Sequence, residues 1–204
     1  YDNKNEVQVV VDMPESSTLE QTEGATAELA AYLRGLGEVT NVTTYTGTYS
    51  PMDFNGMVRH YYLRQGANVA DIRVNMIHKK QREQQSHAIA LRVRRDLKAI
   101  AARHGANIKI VETPPGPPVL STVVAEIYGK PYSPHEDLIA AARIVEQRLR
   151  VEAGVVDVDS TVQHDQTLWH FLPDREKARI SGVSEAEIAR ALSAANAGWQ
   201  VGIL

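Results

Sequence analysis

The sequence has no cysteine among its 204 residues, and it has only two phenylalanines and two tryptophans. Without cysteine, disulfide bonds, thiolate metal sites and cysteine catalysis are excluded. No apolar run approaches the ~20 residues that a membrane-spanning helix needs, and we expect no secretory signal at the first residues. The net charge of −3 gives no electrostatic reason to bind nucleic acid or an anionic membrane.

The sequence also lacks the usual signatures of catalysis and of cofactor binding. It contains no nucleophile elbow, glycine-rich phosphate loop or paired-carboxylate motif. Residues 114–118 (PPGPP) hold four prolines, which lack the N–H groups that a phosphate cradle needs. The seven histidines show no metal-ligand spacing such as HxxxH. We therefore predict no enzyme, no cofactor and no metal site.

The first 112 residues alternate between strand and helix patterns. Strand patterns rich in β-formers occupy residues 6–12, 39–46, 69–77 and 107–112. A capping box at Thr18 and Gln21 opens a helix that ends near Gly35, and a second helix is predicted over residues 83–104. The stripes predicted to face the core are Leu19, Thr26, Leu29 and Leu33 in the first helix and Ile89, Val93, Leu97 and Ile100 in the second.

The order β-α-β-β-α-β over residues 5–112 predicts an α+β fold of the ferredoxin-like, split βαβ type. Two helices should cover one face of a four-stranded antiparallel sheet. The proline-rich residues 114–118 suit neither a helix nor a central strand, so they predict a linker. Beyond it, a strand (122–128), a helix (134–151) and a strand (155–162) make half of a second split βαβ unit.

The last forty or so residues add a different pattern. Residues 167–172 (TLWHFL) have strand character, and Pro173 opens a short helix that breaks at Gly182. A second helix begins at Ser184, with Glu187 completing a capping box. Its predicted apolar face is formed by Ile188, Ala189, Leu192 and Ala195. A strand, a DxxKA helix, a Gly-Val-Ser step and a small-residue helix ending in Ala-Gly form an ordered series with the preceding half-unit.

This series resembles the periplasmic region of resistance–nodulation–division (RND) efflux transporters of the acriflavine-resistance type. The resemblance is greatest to their second large periplasmic loop and covers essentially the whole sequence. It implies a complete βαββαβ porter subdomain (1–113), the linker (114–118), half of a second porter subdomain (119–163) and the start of an α/β docking subdomain (164–204).

The resemblance also implies a function and partners. Such transporters export hydrophobic or amphipathic compounds by proton import, as homotrimers in the bacterial inner membrane, with a periplasmic adaptor and an outer-membrane channel. Their proton-relay carboxylates lie in transmembrane helices, so we expect the transmembrane remainder of the same polypeptide to supply them. The docking-like part contains both tryptophans, Trp169 and Trp199, of which we expect one to pack in its core and the other to meet a neighbouring protomer.

Residues 47–68 interrupt the strand–helix rhythm. In the family, the corresponding loop separates an outer from an inner drug-binding pocket. Long loops of this kind are often functional, and aromatic and methionine side chains suit binding of low specificity. The loop also carries Arg59, His60 and Arg64, which leave room for anionic or lipid-like cargo. The predicted substrate-binding residues are Tyr49, Met52, Phe54, Met57, Tyr61 and Tyr62.

Three alternatives remain open at this point. Heavy-metal exporters of the same superfamily use methionine clusters, and this sequence has Met52 and Met57 in the loop and Met76 on the next predicted strand. A freestanding ferredoxin-like module that binds or regulates through a ligand fits the same strand order. A basic helix face also offers a surface for an acidic partner: Arg92, Arg94, Arg95, Lys98 and Arg103.

Overall fold

A computed structural model describes residues 2–114, 116, 118, 121–163 and 167–202. The chain divides into two compact units, residues 1–166 and 167–204. Parts of the predicted linker (115 and 117) lie outside the described residues, as do 119–120 and 164–166 at the predicted subdomain borders and 203–204 at the end of the predicted docking subdomain.

Four antiparallel strands form one sheet in the first unit, in the order β2-β3-β1-β4. This is the ferredoxin-like order, so the prediction for the first 112 residues is confirmed. The elements are β1 (Glu6–Asp12), α1 (Leu19–Arg34), β2 (Val39–Thr46), α2 (Phe54–Val58), β3 (Val69–Met76), α3 (Ser86–Arg103) and β4 (Asn107–Val111).

Helices α1 and α3 pack side by side on one face of the sheet. The capping box that opens α1 is present: the Gln21 N–H donates to Thr18 Oγ1 at 3.3 Å, and the Thr18 N–H donates to Gln21 Oε1 at 2.9 Å. Thr26 is buried within the α1 stripe because its hydroxyl donates to the Thr22 carbonyl at 2.7 Å. Leu19 is 45% exposed, so the buried stripe begins one turn later than predicted. The α3 stripe is buried throughout: Ile89, Val93, Leu97 and Ile100.

The two faces of the sheet differ because side chains alternate along a strand. On the central strand β1, Val7, Val9 and Val11 belong to the core beneath the helices. Gln8 and Val10 lie on the opposite face, which we call the helix-free face because neither α1 nor α3 packs on it. Both are nevertheless buried. Side chains alternate in the same way along β3, where Ile72, Val74 and Met76 belong to the helix-side core.

Helix α4 (His135–Val151) is confirmed, but none of its side chains is buried. The apolar residues at helical spacing on α4 form a stripe that is only half-buried: Leu138, Ala142, Val145 and Leu149. No sheet covers that stripe within the described residues, because the predicted strands on either side of α4 do not form. The half-buried stripe is therefore an amphipathic face that lacks its packing surface.

The strands predicted over 122–128, 155–162 and 167–172 are wrong: the described residues of these segments form no ladder. A strand requires a neighbouring backbone to bond with, and none of these segments pairs its backbone with a strand in the part of the chain that the structure describes. In the segment 155–162 the backbone also departs from extended geometry at Asp157, where φ is 56°. The Asp157 carboxylate accepts the Ile110 N–H at 3.3 Å, so a side chain takes a bonding site on the free edge of β4.

The second unit contains α5 (Arg175–Ile180) and α6 (Glu185–Ala197), and both predicted helices are confirmed. Asp174, one residue after Pro173, caps α5 by accepting the Lys177 N–H at 3.1 Å. The predicted capping box of α6 is present at Ser184. On the predicted apolar face of α6, Ile188 and Leu192 are half-buried, whereas Ala189 and Ala195 are exposed.

Among the described residues, no helix combines the length and the apolar character that crossing a membrane requires.

Asp12, the last residue of β1, lies between two cations. Its titration makes the stability of this end of the sheet depend on pH. It forms an ion pair with Arg64, and its Oδ2 lies 3.0 Å from Lys109 Nζ. Burial acts to raise the pKa of the Asp12 carboxyl, but Lys109 and Arg64 together hold that pKa below its ordinary value. A depressed pKa means that the charged carboxylate stabilises the fold above the unfolded pKa of about 4, and that this stability is lost as the pH falls through the folded pKa.

We therefore expect Asp12→Asn to lower the free energy of unfolding by about 2–3 kcal/mol at pH 7, because it leaves the largely buried Arg64 without its anion and leaves Lys109 with Asp159 alone. Urea unfolding at pH 7 and at pH 3 provides the measurement, and the difference between wild type and variant should shrink at pH 3. Glu152→Gln is the control, since it removes only an exposed i,i+4 pair with Arg148, for which about 0.5 kcal/mol or less is expected. An equal loss at both pH values would contradict the assignment.

Candidate functional site

The loop of residues 47–68 folds back over the helix-free face of the sheet. Its two ends meet, because the Gly47 N–H donates to the Val69 carbonyl at 2.8 Å and the Gly66 N–H donates to the Gly47 carbonyl at 3.2 Å. Between them lie the short helix α2 and a turn of 3-10 helix, Tyr61–Leu63. The loop is thus a compact structure with closed ends, of the kind that often carries function.

Arg73 on β3 joins the front of this loop to the sheet. Its guanidinium donates to Ser50 Oγ at 2.8 Å, to Asp53 Oδ2 at 3.1 Å and to the Pro51 carbonyl at 3.2 Å. It also donates to Glu6 Oε1 on β1 at 2.6 Å. Burial acts to lower the pKa of Arg73, but Asp53 and Glu6 together raise it above its ordinary value, so the side chain is a permanent cation.

Arg64 and Tyr61 hold the back of the loop. Arg64 forms its ion pair with Asp12 and donates to the Val11 carbonyl at 2.9 Å. Its guanidinium carbon lies 5.9 Å from the centre of the Tyr61 ring. Tyr61 itself is buried and packs with Val10 and Val111 of the sheet. The Arg64 guanidinium therefore stabilises the fold and is already paired with a carboxylate. Of the three basic residues that the sequence suggested for anionic cargo, it is the one that is not available to a ligand.

Arg59 and His60 are differently placed. Arg59 is half-buried, donates from Nε to Asn55 Oδ1 at 3.0 Å, and has no ion pair among the described residues. His60 is exposed, has a left-handed backbone with φ of 57°, and its ring lies 5.7 Å from that of Tyr62 at a steep angle. The Arg59 guanidinium therefore leaves a positive charge on the loop available to an external ligand, and the exposed His60 ring adds hydrogen-bonding nitrogens.

The outer side of the loop is apolar. Of the six predicted substrate-binding residues, Met52, Phe54, Met57 and Tyr62 are exposed, Tyr49 is half-buried and Tyr61 is buried. Leu63 is the most exposed large apolar side chain of the loop, at 70%, and Phe54 is the second, at 63%. Sequence reasoning missed Leu63 because it considered only aromatic and methionine side chains. We call the exposed group the crest: Met52, Phe54, Met57, Tyr62 and Leu63.

A polar cavity of about 300 Å³ lies between the front of the loop and the sheet. Gln8, only 3% exposed, lines it and donates from Nε2 to Asp71 Oδ2 at 3.1 Å. Arg73 and its two carboxylate partners line it as well. The surface beneath the apolar crest is therefore charged and hydrogen-bonding. The full lining is Lys4, Asn5, Glu6, Gln8, Asp53, Asn55, Arg73, Asn75, Val111 and Thr113.

The three methionines considered for a metal site do not gather. Met52 and Met57 are exposed on the loop, whereas Met76 is buried in the core on the helix side of the sheet. No group of three or more histidine, aspartate or glutamate side chains is arranged to hold a metal ion in the part of the chain that the structure describes. The sheet itself thus separates Met76 from the loop.

The basic face of α3 is largely balanced by carboxylates within the chain. Each of its five cations has an acidic partner, and Asp157 serves two of them. A surface for an acidic partner is therefore not favoured. The pairs are Arg92 with Glu38, Arg94 and Lys98 with Asp157, Arg95 with Asp96, and Arg103 with Glu28.

Both tryptophans of the second unit are exposed, Trp169 by 78% and Trp199 by 62%. The expectation that one of them packs in the core of this unit is wrong, because its two helices contain no buried side chain. The exposed indoles are instead large apolar surfaces of the kind found at protein interfaces.

Comparison with known proteins assigns the chain to a family. The model of the AcrB/AcrD/AcrF family matches residues 1–204, whereas no curated protein matches the sequence. Two crystal forms of a heavy metal efflux pump share the fold, with TM-scores of 0.60 and 0.57 at 16% and 13% identity. They match over 96% and 93% of this chain, which spans about a fifth of the length of those pumps, 20% and 19%. The resemblance to RND transporters is thereby confirmed, and the chain belongs to the AcrB/AcrD/AcrF family.

Proposed function

We propose that this chain is the periplasmic porter and partial docking region of a proton-driven RND efflux permease, from its second large periplasmic loop. The observation that carries the proposal is the family match over all 204 residues. We assign residues 1–113 to a complete porter subdomain, 114–118 to a linker, 119–163 to half of a second porter subdomain and 164–204 to the start of the docking subdomain.

The crest supports a role in contacting cargo. Exposed apolar groups are costly to leave in water, and a cluster of them on one loop marks a binding surface more often than chance exposure. Methionine and aromatic side chains repack around different shapes, which suits a transporter of varied compounds. We propose that hydrophobic or amphipathic compounds contact Met52, Phe54, Met57 and Tyr62, with Tyr49 and Tyr61 supporting them from beneath.

The second half of the chain has a helix that no sheet covers among the described residues, which supports assembly with other parts of a larger protein. Helix α4 has no buried side chain, and the segments flanking it join no sheet among the described residues. We propose that the remainder of the same polypeptide, which includes the transmembrane part, completes this half-unit. Trp169 and Trp199 then contact a neighbouring protomer of a homotrimer, and a periplasmic adaptor and an outer-membrane channel complete the export path.

A heavy-metal exporter is the second candidate, because the two solved structures described above are of a heavy metal efflux pump. Soft cations are bound by thioether ligands, and the loop offers two, Met52 and Met57. The position of Met76 on the opposite face of the sheet counts against a third ligand from β3. A freestanding regulatory module is disfavoured by the family match over the whole chain.

The reading frame that encodes this chain provides the first test. If the chain is a periplasmic loop, the frame should contain several apolar spans of about 20 residues on both sides of it. Hydropathy of the translated frame is the measurement. A short frame without such spans would end the permease proposal and leave a ferredoxin-like binding module.

The cargo proposal predicts that shortening the crest impairs export. In a pump-deficient bacterium that expresses the whole permease, Phe54→Ala combined with Leu63→Ala should weaken export of N-phenyl-1-naphthylamine at least about tenfold, because even partial burial of the two side chains against a ligand contributes more than the ~1.4 kcal/mol that corresponds to a factor of ten. The measurement is the fluorescence of retained probe, and a protonophore should raise it in the wild type to the level of the variant.

Leu91→Ala is the matched control, since Leu91 is 56% exposed on α3, away from the loop, and its loss should leave export unchanged. Met52→Leu with Met57→Leu separates the two candidates. It keeps the apolar volume and removes both thioethers, so it should spare export of the probe. Loss of silver or copper resistance in that variant, with normal export of the probe, would favour the heavy-metal candidate and contradict the apolar one.

A further inference from the structure

We propose that Arg73 is a positioning residue that holds residues 50–58, and with them the front of the crest, in a single conformation. The inference rests on the proposed function only in treating the crest as the surface that cargo meets. Family resemblance implies a flexible loop at this place. The contacts of Arg73 point instead to a preformed platform.

The guanidinium uses all three of its nitrogens and joins three parts of the chain. Nε donates to Ser50 Oγ, one terminal nitrogen donates to Glu6 and Asp53, and the other donates to the Pro51 carbonyl. The Arg73 side chain is only 14% exposed. A planar fork with donors in several directions can bond these acceptors at once, which the single ammonium of a lysine cannot do.

Asp53 passes this constraint to the crest. One of its carboxylate oxygens accepts from Arg73, and the other accepts the Gly56 N–H at 2.6 Å and so caps α2. Helix α2 has five residues and includes Phe54 and Met57. A helix so short does not persist without outside contacts, so its formation depends on the capped end that Arg73 holds.

Gly56 shows how tightly this turn is packed. A β-carbon at this position would lie 2.9 Å from Met52 Sδ and 3.1 Å from Asp53 Oδ1. Met52 thus closes over the first turn of α2 while the capping carboxylate lies beside it. The residues between Met52 and Met57 therefore form one packed unit, and anything that displaces Asp53 displaces the crest residues on both sides of it.

Asp71 holds Ser50 from below. It is fully buried and accepts the Ser50 N–H at 2.8 Å, while Arg73 bonds the Ser50 hydroxyl. Asp71 and Arg73 are two apart on β3 and therefore share the helix-free face of the sheet. A single loop residue is thus held through its backbone by one strand residue and through its side chain by the next on the same face.

The back of the loop has its own attachments. Arg64 bonds Asp12 and the Val11 carbonyl, and Tyr61 packs on Val10 and Val111. Removing the Arg73 guanidinium should therefore release the front of the loop and leave residues 61–68 in place. This locality distinguishes a positioning residue from one that merely stabilises the whole fold.

The test is hydrogen exchange on the 204-residue chain with Arg73→Gln and Arg73→Lys. In Arg73→Gln, the amides of Gly56, Met57 and Arg59 should exchange about tenfold faster or more, since several bonds to a charged group are lost. Arg73→Lys should restore only part of that protection. The Arg64 amide and those of α3 should be unchanged. Arg92→Gln is the matched control, because it removes an arginine–glutamate pair on the other side of the sheet.

Binding of N-phenyl-1-naphthylamine to the same variants separates this inference from the proposed function. If wild type binds the probe and Arg73→Gln binds it several-fold more weakly at unchanged melting temperature, both stand. If wild type does not bind the probe while exchange at Gly56 and Met57 rises as expected, the cargo role of the crest fails and the positioning role stands. Equal exchange at these amides in wild type and Arg73→Gln would overturn the positioning role.

A variant of the acceptors keeps the proposal testable if Arg73→Gln does not fold. Ser50→Ala combined with Asp53→Asn removes two of the loop's bonds to Arg73 and leaves the ion pair with Glu6 intact. The front of the loop should again exchange faster, with the strands unaffected. Exchange like that of the wild type in this double variant would overturn the inference.

Asp71 gives a second, independent prediction for the attachment of Ser50 to the sheet. Asp71→Ala leaves the Ser50 N–H and Gln8 Nε2 without an acceptor, so exchange at Ser50 should rise about tenfold or more. Asp71→Asn should change it by less than about threefold, because the Ser50 N–H and Gln8 Nε2 both donate to the same carboxylate oxygen, Oδ2, and the amide oxygen of an asparagine in that place accepts both. Equal effects of the two substitutions would contradict this geometry.

Discussion

The alternation of side chains along β1 and β3 is the constraint on which the rest of the first unit depends. Because β1 is central in the sheet, its odd-numbered valines can all face the helices while Gln8 faces away. Asp71 and Arg73 continue that second face on β3. A shift of one residue in register would bury these charges under α1 and α3, which no ion pair there could offset. The alternation therefore determines both faces of the sheet at once, the apolar face under α1 and α3 and the charged face under the loop.

The charged face explains how an apolar crest can be held out in water. Unaided, exposed side chains such as Phe54 and Leu63 would fold inward and cover themselves. Here the polar groups of the loop face the sheet instead, where Arg73, Asp71 and Asp12 bond them. The loop is therefore inverted relative to an ordinary surface loop, with its ionic contacts beneath and its apolar groups outside. The electrostatics of the sheet thereby keep the apolar crest at the outside of the loop.

The chain has a different character beyond residue 118. Helix α4 shows an amphipathic stripe that no sheet covers among the described residues. The segment that follows it is attached to the four-stranded fold through Asp157 and Asp159, which pair with cations of α3 and β4. Ion pairs of this kind specify a fixed arrangement less strictly than interdigitated apolar packing does.

The sequence by itself determined the elements that depend on local signals. Capping boxes at Thr18 and Ser184, strand alternation and helical stripes placed the first four strands and five of the six helices, since each signal acts within a few residues. Only the tertiary structure decided what depends on distant partners. The burial of Tyr61, the exposure of Leu63, the pairing of Arg64 with Asp12 and the separation of Met76 from the loop all depend on which sheet face the loop covers. The three wrong strands have the same origin, because strand propensity is local whereas a ladder exists only where a second strand lies alongside.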